Sequence, residues 1–304
     1  MGGKELKILV TGGTVFVSKY IAQYFVKKNQ EVYVLNRGSK KQVEGVHFIE
    51  GDRGNLGDTL KNRTFDVVID VAAYTREDIE NLLNSGIDFK DYVFISSSAV
   101  YPEYGIQPFK EEGEKARNIF WGDYGTNKIE AEESLLAKVK DAYILRPPYL
   151  YGTYNNVYRE AFVFDCAMKH RKFYLPGKGD MKLQFFHVED LCRMIEILLE
   201  QKPEHRILNV GNEETISIKE WVSLCYEAAG EQAEFVEVDK QVPQRSYFPF
   251  SNYEYVLDIE KQRELLKETK PLYEGLCEAF SWYKDNQKEV NQRDYIGFIE
   301  EQLS

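Results

Sequence analysis

The chain has 304 residues, 43% of them apolar, 29% charged and 14% aromatic, with 21 Gly and nine Pro spread along it. A chain of that size and mixture buries a substantial core, as one large or two interlocked domains, which excludes collagen-like, disordered and small disulfide-scaffold classes. Thirty-nine basic against 50 acidic residues leave a net charge of -11, which repels a polyanion at long range and speaks against nucleic acid as the main partner.

No window holds the ~18 consecutive apolar residues that a membrane helix needs, so no membrane partner is expected. The apolar run near the start, Ile8 to Val10, is too short for a signal-peptide core, and a cytoplasmic location is the default expectation. Cys166, Cys192, Cys225 and Cys277 are widely spaced, with no C-x-x-C and no paired histidines, so free thiols are expected and no metal.

Six short β-branched runs succeed one another in the first half: Leu6 to Val10, Glu31 to Asn36, Val46 to Glu50, Phe65 to Val71, Tyr92 to Ser97 and Ala142 to Arg146. Amphipathic stretches alternate with them, the sign of βαβ units and a parallel sheet, and most runs are too apolar to face water on either side. Tyr20, Ile21, Tyr24 and Phe25 recur at helical spacing, and Lys27-Lys28 close that helix where its dipole favours cations. Glu130 to Lys140, Ala161 to His170, Val188 to Leu199, Ser217 to Ala229 and the stretch from Asp258 onward read as further helices, and Ile207 to Val210 as one more strand. The expected architecture is α/β, a Rossmann-type doubly wound parallel sheet with a smaller C-terminal α/β lobe. Residues 1–155 form the dinucleotide-binding domain, with 187–212 returning to it, and 156–186 with 213–304 form the substrate-binding lobe.

The first strand runs into Thr11-Gly12-Gly13-Thr14-Val15-Phe16-Val17-Ser18 and then a helix, the context of a dinucleotide-binding loop. Glycine there permits a tight turn and lets backbone N–H groups reach a pyrophosphate at the helix N-terminus. Counted from Gly12 as G-x-x-G-x-x-G, the second glycine position holds Val15 and the third Ser18. A β-branched side chain then stands where backbone and phosphate should meet, so the loop must route differently or bind more weakly. The second strand ends in Asn36-Arg37-Gly38-Ser39-Lys40-Lys41, where an NAD site usually places an acidic residue; Arg37, with Ser39 or Lys40, suits a 2′-phosphate, so NADP is expected and NAD is the alternative. Asp52, followed by Arg53, either accepts from an adenine amine or makes an Asx turn.

The fifth strand ends in Ser96-Ser97-Ser98-Ala99-Val100-Tyr101, at the sheet edge where open α/β folds place ligands. Tyr124 and Lys128 follow, at i and i+4 on one helix face, so the ammonium can approach the phenol and favour a phenolate usable as a proton acceptor. Tyr24/Lys28 and Tyr174/Lys178 repeat the spacing, but only Tyr124/Lys128 follows a serine-bearing strand end and begins a helix.

With these residues the chain resembles the extended short-chain dehydrogenase/reductase family, the NAD(P)-dependent sugar epimerases and dehydratases. The resemblance runs from the Gly-rich start through Tyr124/Lys128, Leu145-Arg146-Pro147-Pro148-Tyr149-Leu150-Tyr151-Gly152 and Phe186-His187-Val188-Glu189-Asp190-Leu191 to Leu208-Asn209-Val210-Gly211. It implies that Ser97 hydrogen-bonds the reacting oxygen, that Tyr124 is the acid/base, and that Lys128 lowers its pKa while holding the nicotinamide ribose. Hydride would pass between a carbinol carbon and the nicotinamide; its return to the other face gives epimerisation, and release of the ketone gives a dehydrogenase.

The candidate cofactor contacts are Gly12, Gly13, Thr14, Val15, Phe16, Asn36, Arg37, Asp52, Arg53, Ala72, Lys128 and Pro147, and the candidate substrate contacts are Ser98, Tyr149 and Tyr151. Ser98-Ala99 stands where dehydratases carry Asp-Glu, which turns the expectation from dehydration to an epimerase or reductase acting on a sugar or nucleotide-sugar. Tyr149 and Leu183 replace an asparagine and an arginine that often contact the diphosphate, while His187 is expected to pack or cap a helix. A homodimer through two packed helices is typical of the family. The segment from Phe248 to Asp258 is similar to a divergent branch that includes chloroplast stem-loop RNA-binding proteins, so the competing expectation is a non-catalytic nucleotide- or RNA-binding protein on the same fold.

Overall fold

The computed structural model describes residues 5–304. In chain order the elements are β1 (Lys7–Thr11), α1 (Phe16–Lys27), β2 (Glu31–Asn36), β3 (His47–Glu50), β4 (Thr64–Asp70), α2 (Arg76–Leu83), β5 (Asp88–Ile95), α3 (Asp123–Lys138) and β6 (Tyr143–Arg146). They continue with β7 (Tyr149–Tyr151), α4 (Glu160–Met168), β8 (Phe173–Pro176), β9 (Lys182–Leu183), β10 (Phe185–His187), α5 (Val188–Gln201), β11 (Ile207–Asn209), β12 (Ile216–Ser217), α6 (Ile218–Ala228), β13 (Phe235–Val238), α7 (Glu260–Leu265), α8 (Leu272–Asn286) and α9 (Tyr295–Gln302).

Seven strands form one sheet in the order β11-β6-β5-β4-β1-β2-β3, and every neighbouring pair is parallel. The chain steps outward from β1 to β3, returns to pair β4 with β1, and then steps outward the other way. This is the expected Rossmann-type, doubly wound sheet, and its topological switch point lies between β1 and β4, where such sheets bind ligands. Ile8, Leu9 and Val10 of β1 and Val68 and Ile69 of β4 have no exposed surface. Strands buried on both faces need helices over them, and α1 packs with α5 and α2 with α3.

Helix α2 was not legible in the apolar pattern because its eight residues, Arg-Glu-Asp-Ile-Glu-Asn-Leu-Leu, are mostly charged or polar. Its signal is local: Thr75 accepts from the Asp78 N–H, and the Asp78 carboxylate accepts in return from the Thr75 N–H. This capping box satisfies two donors that a helix start otherwise leaves open. Strand β5 begins at Asp88, four residues before the apolar run, because its first half alternates exposed Asp88 and Lys90 with partly covered Phe89 and Asp91.

The chain divides into two compact units. The first holds the sheet and comprises the chain up to Pro148 with Val188–Gly211 and Leu257–Glu268; the second comprises Tyr149–His187, Asn212–Val256 and Thr269–Ser304. Residues 149–155, His187, Asn212 and 257–268 therefore fall in other units than the sequence pattern assigned them. The second unit contains three two-stranded ladders, β7 with β10, β8 with β13 and β9 with β12, together with mutually packed α4, α6 and α8. Its core is aromatic: Trp221 stacks on Phe185 at 5.6 Å and meets Phe250 edge-on at 5.1 Å. All four cysteines are free, and among the described residues no helix is long and apolar enough to cross a membrane.

A buried polar frame ties α3 to the ends of β5 and β6 inside the first unit. Glu132 of α3 is fully buried, and its carboxylate accepts from Arg146 Nε at 2.9 Å, Arg146 Nη2 at 2.6 Å and Ser96 Oγ at 2.6 Å. Arg146 also donates to the Tyr101 hydroxyl and the Glu111 carbonyl, and Tyr101 donates to Asn209 at the end of β11. Removing one partner of such a pair strands a buried charge, whereas replacing both by apolar groups is often tolerated. Glu132→Ala is therefore expected to lower unfolding free energy by about 3–5 kcal/mol in urea titration, and Glu132→Met/Arg146→Met by much less; equal losses in both variants would show that the charge pairing is not what the frame supplies.

Candidate active site

The loop after β1 is shaped by two glycines. Gly12 and Gly13 have φ of +92° and +89°, and a Cβ at Gly13 would lie 2.5 Å from a Val34 methyl. A Cβ at Gly12 would come 2.8 Å from Ser18 Oγ, so the missing side chain at Gly12 makes room for the one at Ser18. The Ser18 hydroxyl turns back to donate to the Val15 carbonyl at 2.9 Å. Val15 itself is extended, φ -136° and ψ 136°, a conformation that suits a β-branched residue, and α1 starts there without a side-chain cap. The first N–H groups of α1 are thus left for an anion. Strain collects one residue later, at buried Phe16 with φ +33°, and a bulky residue held there costs on the order of 1–3 kcal/mol.

A cavity of about 280 Å³ opens beside this loop, lined by Thr11, Gly12, Leu35, Asn36, Arg37, the turn from Gly51 to Gly54, Ala72 and Asp78. It brings together Gly12, Asn36, Arg37, Asp52, Arg53 and Ala72 of the expected cofactor contacts. Asn36 fixes the loop by donating to the Gly12 carbonyl at 2.7 Å, and its own carbonyl oxygen accepts from the Gly38 N–H at 2.9 Å. Asp52 makes the Asx turn, accepting from the Gly54 N–H at 3.0 Å, and is one of the residues lining the cavity.

Arg53 is committed to the protein: it forms a fork with the Asp70 carboxylate at 2.8 and 2.6 Å and donates twice more to the Asp78 carbonyl. Asp70 has no exposed surface and also accepts from Thr11 and Tyr92. Burial alone would push its pKa up; the Arg53 guanidinium outweighs that and holds it below the ordinary carboxylate range.

The second part of the site lies at the ends of β5 and β6. Ser96 serves the buried frame through Glu132. Ser97 is partly exposed and accepts from the Ala99 N–H, and Ser98 is buried with its N–H on the Pro147 carbonyl. Helix α3 closes on this turn at Gly125, where a Cβ would overlap the Ala99 carbonyl oxygen. Gly122, with φ +53° and ψ -133°, lets the chain enter the helix at that angle.

One helical turn after Gly125, the buried Lys128 ammonium donates to the Ala73 carbonyl at 2.7 Å and the Ile95 carbonyl at 2.9 Å, tying α3 to the ends of β4 and β5. Burial lowers its pKa to about 8, against the opposing pull of Asp70 and Glu132. Tyr124 stands at the mouth, 40% exposed, with its ring 6.3 Å from that of Tyr74. Tyr74 was not foreseen: only its place, two residues after Ala72 at the end of β4, marked it.

Tyr149 and Tyr151 belong to the second unit, and both are buried there. Tyr149 packs among Phe185, Phe250 and Tyr255 with Arg159 over its ring, and Tyr151 packs against His187. His187 is fully buried; desolvation, then the Lys270 charge, push its pKa down to about 3, and its Nε2 lies 3.7 Å from a Glu278 carboxylate oxygen.

The sequence profile of the NAD dependent epimerase/dehydratase family matches residues 8–211, two thirds of the chain. The chain belongs to this family. A chloroplast stem-loop binding protein of 41 kDa from Arabidopsis thaliana is 27% identical over 91% of this chain and 79% of its own. A protein described as a putative UDP-glucose 4-epimerase from Methanocaldococcus jannaschii is 27% identical over 92% and 99% of the two chains. Among solved structures, the UDP-glucuronic acid 4-epimerase from Bacillus cereus, in complex with UDP-glucuronic acid and NAD, superposes with a TM-score of 0.72 at 21% identity, over 92% of this chain and 99% of that one. That likeness extends the shared fold beyond the matched residues, to 92% of the chain.

In this member of the family, the α3 docking and the buried lysine give two expectations. Gly125→Ala forces α3 away from Ala99, so binding at the glycine loop should survive while any turnover falls at least about tenfold; unchanged turnover would show that the close approach is not needed. The folded protein releases the Lys128 proton near pH 8 and the unfolded chain near 10.5, so the unfolded state binds more protons between them. Wild-type stability should therefore rise relative to Lys128→Met from about pH 8 to 10.5 in urea titrations, and a flat difference would contradict the buried ammonium.

Proposed function

We propose that this protein is an NAD(P)-dependent epimerase or reductase of a sugar or nucleotide-sugar, and that Ser97, Tyr124 and Lys128 carry the chemistry. The observation that carries the reading is the docking of one α3 face, with Tyr124 and Lys128 a turn apart, onto the strand end bearing Ser97, in the same unit as the glycine-loop cavity. The glycine loop suits a dinucleotide: Gly12 and Gly13 hold φ of +92° and +89°, a turn glycine adopts without strain, and α1 begins without a side-chain cap, so its first N–H groups are open to a phosphate. Gly12, Gly13, Thr14, Val15 and Phe16 would face the pyrophosphate, and Asn36, Arg37, Asp52 and Ala72 the adenosine part.

When bound, the nicotinamide supplies the hydride donor and acceptor. The protein supplies proton handling and position. The Tyr124 phenolate would take the proton of the reacting carbinol, and the phenol so formed can return it to the carbonyl oxygen. The Ser97 hydroxyl donates to that oxygen, and the Lys128 ammonium beneath favours the phenolate. Ser98-Ala99 offers no acid at the position after Ser97, which favours epimerisation or reduction over loss of water.

NADP is the proposed cofactor, with NAD the alternative. Arg37 faces the cavity where a carboxylate would read a free ribose hydroxyl, and a guanidinium suits a phosphate. The Bacillus cereus epimerase is described with NAD and UDP-glucuronic acid, which supports a nucleotide-sugar as substrate and keeps NAD open. A non-catalytic RNA-binding role is supported by the stem-loop binding relative and opposed by the net charge of -11.

With UDP-glucose and UDP-glucuronic acid as probes, Tyr124→Phe is expected to lower conversion, followed by proton NMR, by about 10²–10⁴-fold while cofactor affinity is kept. Wild-type protein that binds an RNA stem-loop tightly and transfers no hydride would overturn the enzymatic reading.

A further inference from the structure

Lys128 is buried to within 2% of its surface although Tyr124, one turn before it on α3, is exposed, so something must keep water from it. Two rings do. The Phe94 centroid is 4.7 Å from the ammonium, within the core of the first unit, and the Tyr74 centroid is 5.1 Å from it. Tyr74 is 54% exposed, so one face of its ring covers the cation while the rest looks outward beside the Tyr124 ring. An exposed tyrosine would normally swing freely, but here the backbone beneath it is pinned. The Tyr74 N–H donates to Asp78 Oδ2 at 2.7 Å, as part of the capped start of α2, and Asp78 is paired in turn with Arg53 at 3.6 Å.

We propose that Tyr74 is a positioning residue of the active site: its ring roofs the Lys128 ammonium, keeps water off it, and so sets the pH at which the lysine can support Tyr124. The proposal rests on the reading of Tyr124 and Lys128 as the reacting pair. A cation against an aromatic face is held by the ring quadrupole and loses less on dehydration than a bare one. The charged groups that face Lys128 are Asp70 from β4, Arg53 from the turn after β3, Asp78 from α2 and Glu132 from its own helix, with the Tyr124 phenol one turn before it. None of these side chains is replaced by a change at Tyr74; loss of the ring face alone would make the lysine release its proton more easily, so an upward midpoint identifies the access of water as the larger effect.

The test is a pH titration of protein carrying ¹³Cε-labelled lysine, with the Lys128 signal assigned by its loss in Lys128→Met. Lys128 should titrate near pH 8 in the wild type, and Tyr74→Ala should move that midpoint upward, towards the ordinary lysine value. Tyr74→Phe, which keeps the ring and loses the hydroxyl, should restore it. With UDP-glucose as the probe, Tyr74→Ala should lower kcat about tenfold at nearly constant KM and carry the high-pH limb upward with Lys128.

An unmoved midpoint in Tyr74→Ala, or an equal shift in Tyr74→Phe, would overturn the proposal. If the wild-type protein turns over no sugar nucleotide, the enzymatic reading fails by itself, and the Lys128 titration still decides whether Tyr74 is the roof. Tyr74 is a surface residue, so both variants are expected to fold, and a native far-UV circular dichroism spectrum checks this.

Discussion

Helix α3 can lie against the end of β5 only because residue 125 has no side chain, and the order of the candidate active site follows from that contact. With Gly125 seated on the Ala99 carbonyl, the next turn places Lys128 on the Ile95 and Ala73 carbonyls, and the turn after it places Glu132 on Ser96 and Arg146. Three successive turns of one helix face thus reach the ends of β4, β5 and β6. Tyr124, on the same face and one turn before Lys128, takes its position at the 40% exposed end of that row from the docking of the helix.

The first unit keeps its buried charges in separate groups, and each has a different task. Asp70 with Arg53 braces the cavity wall below the glycine loop, and Glu132 with Arg146 locks the helix to the sheet. Both are forked pairs, a geometry in which the guanidinium satisfies the carboxylate without water. Lys128 is different. It faces two carbonyls and two rings instead of a contacting carboxylate, so its charge is only partly compensated and its proton is released near pH 8. A lysine left in that state is suited to a pH-sensitive role beside a phenol, whereas Asp70, held by the Arg53 fork, lies below the ordinary carboxylate range.

The parallel sheet was legible because its central strands are buried on both faces, and residues such as Ile8 to Val10 and Val67 to Ile69 leave no polar side that could suggest anything else. The Tyr124/Lys128 spacing was legible as chemistry, but its docking was not, since the need for glycine at 125 arises from a carbonyl 26 positions earlier in the chain. Arg53 was read as a cofactor contact from its place after Asp52; the structure commits its guanidinium to Asp70, a partner 17 residues away that no local pattern announces. Tyr149 and Tyr151 were read as faces for a sugar, and the structure buries them in the aromatic packing of the second unit, because an aromatic ring has the same signature in sequence whether it lines a pocket or fills a core. The departures Val15 and Ser18 from the glycine pattern are local exchanges, with Ser18 using the space that Gly12 leaves.

The account depends most directly on whether the cavity beside the glycine loop holds a dinucleotide, and a fluorescence titration of the purified protein with NADPH and NADH measures that. Both should bind, NADPH at least about tenfold more tightly, and the preference should vanish in Arg37→Ala, the loss expected when one charge-assisted phosphate contact is removed. Binding of neither nucleotide would contradict the account, because the glycine loop, Asn36 and the α3 face would then be a fold without the cofactor on which the proposed roles of Tyr124 and Lys128 depend.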